Sequence, residues 1–369
     1  MQSALTKGAR QVVLARLQGC AITALESAWG YLVFAAHGWG LGVMANTSMN
    51  PPRLLYHFEL ESNDEINTLH KLMSEDANPA VLAVSRSAIY ALTCLPRFEC
   101  KRVFRVPEAG WQIESTLCVR AHVVVRLYQP KTKAYRWLIL EQLGEETREL
   151  SLPTRGPMSA MVGAFEAEKF FCATEAEVVQ YHLREHKEQR HAAPALGLNI
   201  KIRPRIHPRS GEIFWQGLDG LIYRYNAGAS AKPLKAFSRQ RFELTHFFCS
   251  AYDDYLYALT PNNLIVLDYP GGAETWNFTQ HVQAKISCSP APPRAFGNYL
   301  MFAFRSPSLM GAEERVGLFS LTKREAPLLL HPAVAASPMP IAGVSHVIAV
   351  RKPQSLEERD KSALLLFQV

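Results

Sequence analysis

Glu212-Ile213-Phe214-Trp215, then Gly217-Leu218-Asp219-Gly220, then Leu221-Ile222-Tyr223-Arg224-Tyr225 is the stretch that decides the fold. Two short runs of apolar and aromatic residues flank an Asp-Gly pair, which supplies the positive-φ positions of a tight hairpin turn. The spacing predicts two antiparallel strands of about five residues each. The phrase recurs downstream as Tyr255-Leu256-Tyr257-Ala258-Leu259, the turn Pro261-Asn262-Asn263, and Leu264-Ile265-Val266-Leu267.

Extending the comparison in both directions places equivalent strand starts at Tyr31, Ala80, Val123, Phe170, Ile213, Tyr255, Tyr299 and Val347, between 42 and 49 residues apart. Each copy also offers a strand before the marked one and another after the hairpin. In the sixth copy these are Leu244 to Ser250 and Glu274 to Phe278; in the first, Ala21 to Leu25 and Leu54 to Leu60. The eighth copy runs out after Val347 to Arg351 and Ala363 to Val369, one strand short. Gln11 to Leu17 has strand character and no place in the first copy. It is expected to supply the missing strand, pairing the start of the chain with its end and covering an edge that would invite aggregation.

A four-stranded unit repeating every 45 residues or so cannot bury both faces alone and must stack on its neighbours. Helical solenoids of similar period would need long 3.6-residue apolar spacing, which the sequence lacks. On these residues the chain resembles the β-propeller superfamily from about Gln11 to Val369. The expected fold is all-β, an eight-bladed propeller forming a single domain over residues 1–369, with residues 11–17 completing the last blade and the blade repeats running from about residue 19 to 369. The Gly-His and Trp-Asp pairs of WD40 blades do not recur, kelch-like double glycine occurs once at Gly271-Gly272, and six tryptophans cannot assemble the quinoprotein repeat. No subfamily and no family catalytic residue therefore carries over.

The 369 residues are 48% hydrophobic and 20% charged, which excludes disorder and leaves room for a large core. A balance of 40 Lys+Arg against 33 Asp+Glu gives +7, short of the dense basic track of a nucleic-acid binder. Cys20, Cys94, Cys100, Cys118, Cys172, Cys249 and Cys288 are odd in number, lack metal-ligand spacing and mostly sit in apolar runs, so a reducing cytoplasm is the expected compartment. Lys7, Arg10 and Arg16 break the first seventeen residues, so no secretory signal is expected. Glu26 and Gly38-Trp39-Gly40 divide the apolar stretch from Gly19 to Ala45 into pieces too short to span a bilayer as a helix.

Ile200 to Arg209 alternates so strictly that Lys201, Arg203, Arg205, His207 and Arg209 would share one face of an extended strand. As the first strand of the fifth blade it would line the channel mouth and could gather a phosphate or another anion. Solvated or carboxylate-paired arginines on a strand blunted by Pro204 and Pro208 give the same pattern. His182, His186 and His191 fall among Arg184, Lys187 and Arg190, which repel a divalent ion, and read as a polar turn. His37 to Gly42 reads as a hairpin turn, because no helix follows to hold a phosphate. No G-x-S-x-G occurs, and the adjacent pairs Asp253-Asp254 and Glu313-Glu314 would point to opposite faces of a strand, so no catalytic residue is proposed. No cofactor and no metal are expected.

Three long loops complete the reading: Met44 to Pro52, Ser306 to Glu314 and Lys352 to Lys361. Met49, Leu309 and Met310 supply apolar contacts, and Glu357 and Arg359 a polar rim, as in a protein interface. The expected function is a non-enzymatic protein-interaction scaffold, a rigid subunit of a larger assembly. It resembles in this the bacterial propellers that accompany other proteins, AAA+ ATPases among them. The alternative is an anion-binding protein or enzyme drawing on Lys201, Arg203 and Arg205.

Overall fold

A computed structural model describes residues 10–13, 22–45, 54–60, 65–72, 80–94, 97–141, 146–152, 156–164, 167–226, 234–249, 253–269, 271–278, 287–288, 294–296, 299–308, 311–320, 322, 328–332, 335–341, 344–350 and 363–368. Apart from Phe278, which is helical, every secondary-structure element among them is a strand. Among the described residues no helix is long and apolar enough to cross a membrane.

The strands form eight antiparallel sheets. β1 (Arg10–Val13) stands apart from the first sheet, which is β2 (Ile22–Ala28), β3 (Tyr31–Ala36), β4 (Gly40–Ala45) and β5 (Leu54–Phe58). The second is β6 (Thr68–Leu72), β7 (Ala80–Val84), β8 (Ala88–Thr93) and β9 (Glu99–Arg105); the third is β10 (Gln112–Val119), β11 (His122–Gln129), β12 (Ala134–Glu141) and β13 (Glu146–Leu150). The fourth is β14 (Val162–Ala164), β15 (Lys169–Ala173), β16 (Glu177–His182) and β17 (Lys187–Ala192); the fifth is β18 (Arg205–Ile206), β19 (Glu212–Gln216), β20 (Ile222–Asn226) and β21 (Lys235–Ala236). The sixth is β22 (His246–Cys249), β23 (Tyr255–Leu259), β24 (Leu264–Asp268) and β25 (Glu274–Asn277).

The seventh sheet orders β26 (Ser287–Cys288), β28 (Tyr299–Ser308), β29 (Gly311–Ser320) and β30 (Leu328–Pro332), with β27 (Arg294–Phe296) also pairing β28. The eighth orders β31 (Ala335–Ile341), β32 (Val344–Val350) and β33 (Ala363–Gln368), with β1 as its fourth strand. There Arg10 opposes Leu366 and Val13 opposes Ala363. The second strand of every sheet starts within three residues of the position expected from the repeat.

A burial gradient across the sheets whose side chains are described explains the sequence pattern. β7 is buried at all five positions and β19 at four of five, so both faces must be apolar and the run reads as continuous. Outer strands face water: β13 is exposed at four of five positions, which is why Glu146 to Glu149 can be polar without penalty.

The chain divides into two compact units. One comprises Met1–Leu150, Glu313–Leu318 and Pro327–Val369; the other, Ser151–Ala312 and Phe319–Ala326. In the first, β2 lies against both β31 and β6, and β6 against β10. Val33, Leu41, Val43, Val81 and Leu92 fill the space between the first and second sheets; Leu82, Ile89, Val125 and Leu140 fill that between the second and third. In the second, β18 lies against β14 and β22. Phe171, Ile213 and Trp215 join the fourth and fifth sheets, and Phe214, Phe247 and Leu256 the fifth and sixth. Each such side chain stabilises by about 1.5–3 kcal/mol through leaving water.

Two expectations shift. Ser306 to Glu314 is no long loop, since β28 continues to Ser308 and β29 begins at Gly311. Ile200 to Arg209 is not a continuous strand, since only Arg205 and Ile206 pair, opposite Phe214 and Ile213.

Candidate functional site

The basic segment enters through a turn, in which Ile202 N–H donates to Asn199 O at 3.2 Å and Lys201 N–H to Asn199 Oδ1 at 3.3 Å. This twists Ile202 into the core while Lys201 and Arg203 stay exposed. Arg205 reaches from β18 to β22, its Nε donating to Phe247 O at 2.9 Å. Its Nη2 is buried and meets no hydrogen-bond partner. Burial, and secondarily the charge of Arg203, draw its pKa down to about 10.

His207 is 1% exposed, stacks on Tyr269 with ring centroids 4.4 Å apart, and accepts a hydrogen bond from Ser210 N–H at 3.2 Å through Nδ1. Burial holds its pKa below the ordinary imidazole value, which favours the neutral ring. Arg209 pairs with Asp254 at 2.9 Å. The five residues thus divide into two exposed side chains, one inter-sheet tie, one stacked neutral ring and one ion pair. Cys249, beside Arg205, has its thiol pushed up to about 12 by burial and is no nucleophile at neutral pH.

The three histidines of the fourth sheet also separate. His186 occupies the turn after β16, but His191 is a buried residue of β17, and the segment read as a polar turn is in large part an outer strand. Tyr225 on β20 donates to Gln180 Oε1 at 3.1 Å and accepts from His191 Nε2 at 2.8 Å, which fixes the proton of His191 on Nε2. Gln180 Nε2 donates to Gln189 Oε1 at 3.1 Å and to His182 Nε2 at 2.6 Å. The network ties the fourth sheet to the fifth, and among the described residues no group of three or more candidate ligands could hold a metal.

A pH dependence follows. Burial lowers the pKa of His182, His191 and His207 in the folded chain. The unfolded chain therefore takes up protons first as pH falls. Their contribution is complete above the ordinary histidine value of about 6.5 and is lost as pH falls from there towards the folded values. The melting temperature should fall between pH 7.5 and 5.5. Tyr225→Phe, which leaves Gln180 Oε1 and His191 Nε2–H without the phenol, should lower stability by about 1–3 kcal/mol at pH 7.5. Calorimetric melts across this range check both.

A second surface was missed in the sequence. The turns Pro194 to Leu198 and Gly217 to Gly220 lock together, Leu198 bridging Gly217 and Leu218 N–H donating to Gly197 O at 2.9 Å. Leu196 and Leu218 are 66% and 53% exposed. Gly197 has φ +88°, and a Cβ there would lie 3.0 Å from Glu175 O, so the close approach requires glycine. Gly220, with φ +82°, abuts Arg241 and Phe242, and Phe242 N–H donates to Gly220 O at 2.8 Å. Arg239 and Arg241 are exposed, with no ion pair among the described residues. The legible signal was a leucine inside a Gly-x-Asp-Gly turn, a position where polar residues are the rule.

The expected interface residues Met49, Leu309, Met310, Glu357 and Arg359 lie outside the described residues.

No protein-family model matches the chain, and no curated protein matches it. Among solved structures it is similar to the computationally designed Ika8 protein, with a TM-score of 0.64 at 12% identity over 97% of this chain and 99% of that one. At that identity the likeness is one of fold alone.

Proposed function

We propose that the chain closes as an eight-bladed β-propeller and serves as a non-enzymatic protein-interaction scaffold, a rigid subunit of a larger assembly. Eight antiparallel sheets, seven of four strands and one of five, with β1 completing the last, support the architecture. The observation that carries the function is the exposed pair Leu196 and Leu218, held on locked turns of a buried framework. A leucine so presented contributes nothing to the core and gives a partner an apolar anchor without an ordering cost. An ATPase of the AAA+ type is one partner class that the propeller resemblance implies.

The second reading is an anionic ligand held by Lys201, Arg203 and Arg205, favoured by the unpartnered Nη2 of Arg205. One set of proteins tests both readings: the tagged chain, Leu196→Asp/Leu218→Asp and Arg203→Ala/Arg205→Ala, each used for pull-down from a lysate of the source cells and for melting with phosphate. The scaffold reading expects a near-stoichiometric partner that the leucine variant loses. Recovery of the unaltered chain as a lone monomer overturns it. A phosphate-dependent rise in melting temperature, lost in the arginine variant, would select the anion reading instead.

A further inference from the structure

We infer that His182, Gln180, Tyr225 and His191 form a hydrogen-bond relay whose direction reverses when His182 takes up a proton. A change at a half-buried histidine of the fourth sheet thereby sets the tautomer of a buried one at the seam with the fifth. The inference stands apart from the scaffold reading and needs no partner. At neutral pH every bond runs one way: His191 Nε2–H donates to Tyr225 Oη at 2.8 Å, Tyr225 to Gln180 Oε1 at 3.1 Å, and Gln180 Nε2 to His182 Nε2 at 2.6 Å. Gln180, Tyr225 and His191 are buried, so none of them can exchange a partner for bulk water; His182 is half-buried and meets the solvent.

A proton on His182 Nε2 sets two donors against each other at 2.6 Å. Gln180 and His182 lie two residues apart on β16 and share a face, so turning the Gln180 amide over restores the bond, Oε1 now accepting. The amide NH2 then points at Tyr225, whose hydroxyl must donate to His191 Nε2, and His191 must carry its proton on Nδ1. His191 gives one proton to water and takes one from it, so the relay gains a single proton, held on His182. Gln189, which accepts from Gln180 Nε2 at 3.1 Å, is exposed and can turn its own amide to donate instead. The inverted chain keeps a partner for each buried group, whereas a protonated His182 facing the unturned amide leaves Gln180 with an opposed donor.

The surroundings place the event. Burial, and Lys169 and Lys187 opposite His182 on β15 and β17, hold its pKa below the usual imidazole value; Glu185 and a hydrogen bond with Gln189 oppose them. Inversion therefore belongs below about pH 6.5. Burial alone lowers the pKa of His191, which lies opposite Val178, and burial raises that of Tyr225, which keeps its proton. Arg190, the neighbour of His191 on β17, alternates to the other face and pairs with Glu177 and Glu188.

Long-range 1H–15N spectra of the full chain labelled at histidine, taken from about pH 8 to about pH 5, test the relay, since they distinguish the two tautomers and the protonated ring. His191 should pass from the Nε2–H to the Nδ1–H tautomer, without itself becoming charged, at the midpoint where His182 protonates. In His182→Phe and in Gln180→Met, each checked for its fold by a melt, His191 should keep Nε2–H through that midpoint. A His191 that stays Nε2–H while His182 titrates in the unaltered chain overturns the relay, His182 having simply turned out to water. So does a change of His191 that persists at the same pH in either variant. Should neither variant fold, the two midpoints in the unaltered chain still decide, coincidence upholding the relay and separation overturning it.

Discussion

Gly272→Ala should lower the melting temperature by about 10 °C, the largest effect of any single methyl group added to the second unit. Gly272 has φ +72°, where an L side chain costs about 1–2 kcal/mol. Steric conflict adds to this, since the new Cβ would lie 1.9 Å from Phe237 O and 2.7 Å from Phe237 C. Those are backbone atoms of the segment after β21, where Phe237 N–H donates to Ile222 O at 2.7 Å, so they cannot rotate away as a side chain would. The turn itself is held on the other side, Gly272 N–H donating to Asp268 O at 2.9 Å.

Relieving the overlap means separating the fifth sheet from the sixth, over a core containing Phe214, Phe237 and Leu267. Overpacking of this kind costs about 1–3 kcal/mol beyond the backbone term, and each kcal/mol moves the midpoint of a domain this size by about 2–4 °C. Gly38→Ala is the matched control. Its φ is +67° but nothing lies within 4 Å of the added methyl, so only the backbone cost should appear. Equal melts for the two variants would show that the contact at Phe237 yields freely.

Why the repeat was legible and the sites were not has one physical origin. Second strands such as β7 and β19 are buried on both faces, so their residues answer to a single demand, burial, and the runs Ala80 to Val84 and Glu212 to Gln216 announce themselves. Outer strands answer mainly to water. Lys187 to Ala192 therefore looks like a turn, with only His191 turned into the core, and no periodicity distinguishes one buried histidine that follows four polar residues.

The basic segment failed as a strand for a different reason. Alternation fixes a face only if the chain is extended, and Pro204 and Pro208 lack the N–H groups that would hold it so. The turn at Asn199 to Ile202 then takes Lys201 out of line with Arg205. Leu218 carries a signal, an apolar residue inside a Gly-x-Asp-Gly turn, but Leu196 carries none until the neighbouring turn is placed beside it.

Removing β1 should cost as much as Gly272→Ala and in a different way. Four residue pairs, Arg10 with Leu366 through Val13 with Ala363, join β1 to the eighth sheet. Without them β33 becomes the edge, and its sequence, Ala363-Leu364-Leu365-Leu366-Phe367-Gln368, is apolar, uncharged and free of proline, the composition that pairs with other chains when exposed. A chain lacking residues 1–13 should melt about 5–10 °C lower and scatter light on standing at concentrations where the full chain stays clear.

The opposite change tests the same pairing without removing anything. Val12 and Leu364 are opposed, so Val12→Cys/Leu364→Cys should oxidise readily and close a loop of about 350 residues. Restricting the unfolded chain to that extent can raise stability by up to about 5 kcal/mol, lost again on reduction. A truncated chain that melts and scatters like the full one, together with a cysteine pair that will not oxidise, would mean that the first strand is not held by the last in solution. If both behave as expected, the pairing of the first strand with the last holds in solution and contributes to the stability of the folded chain.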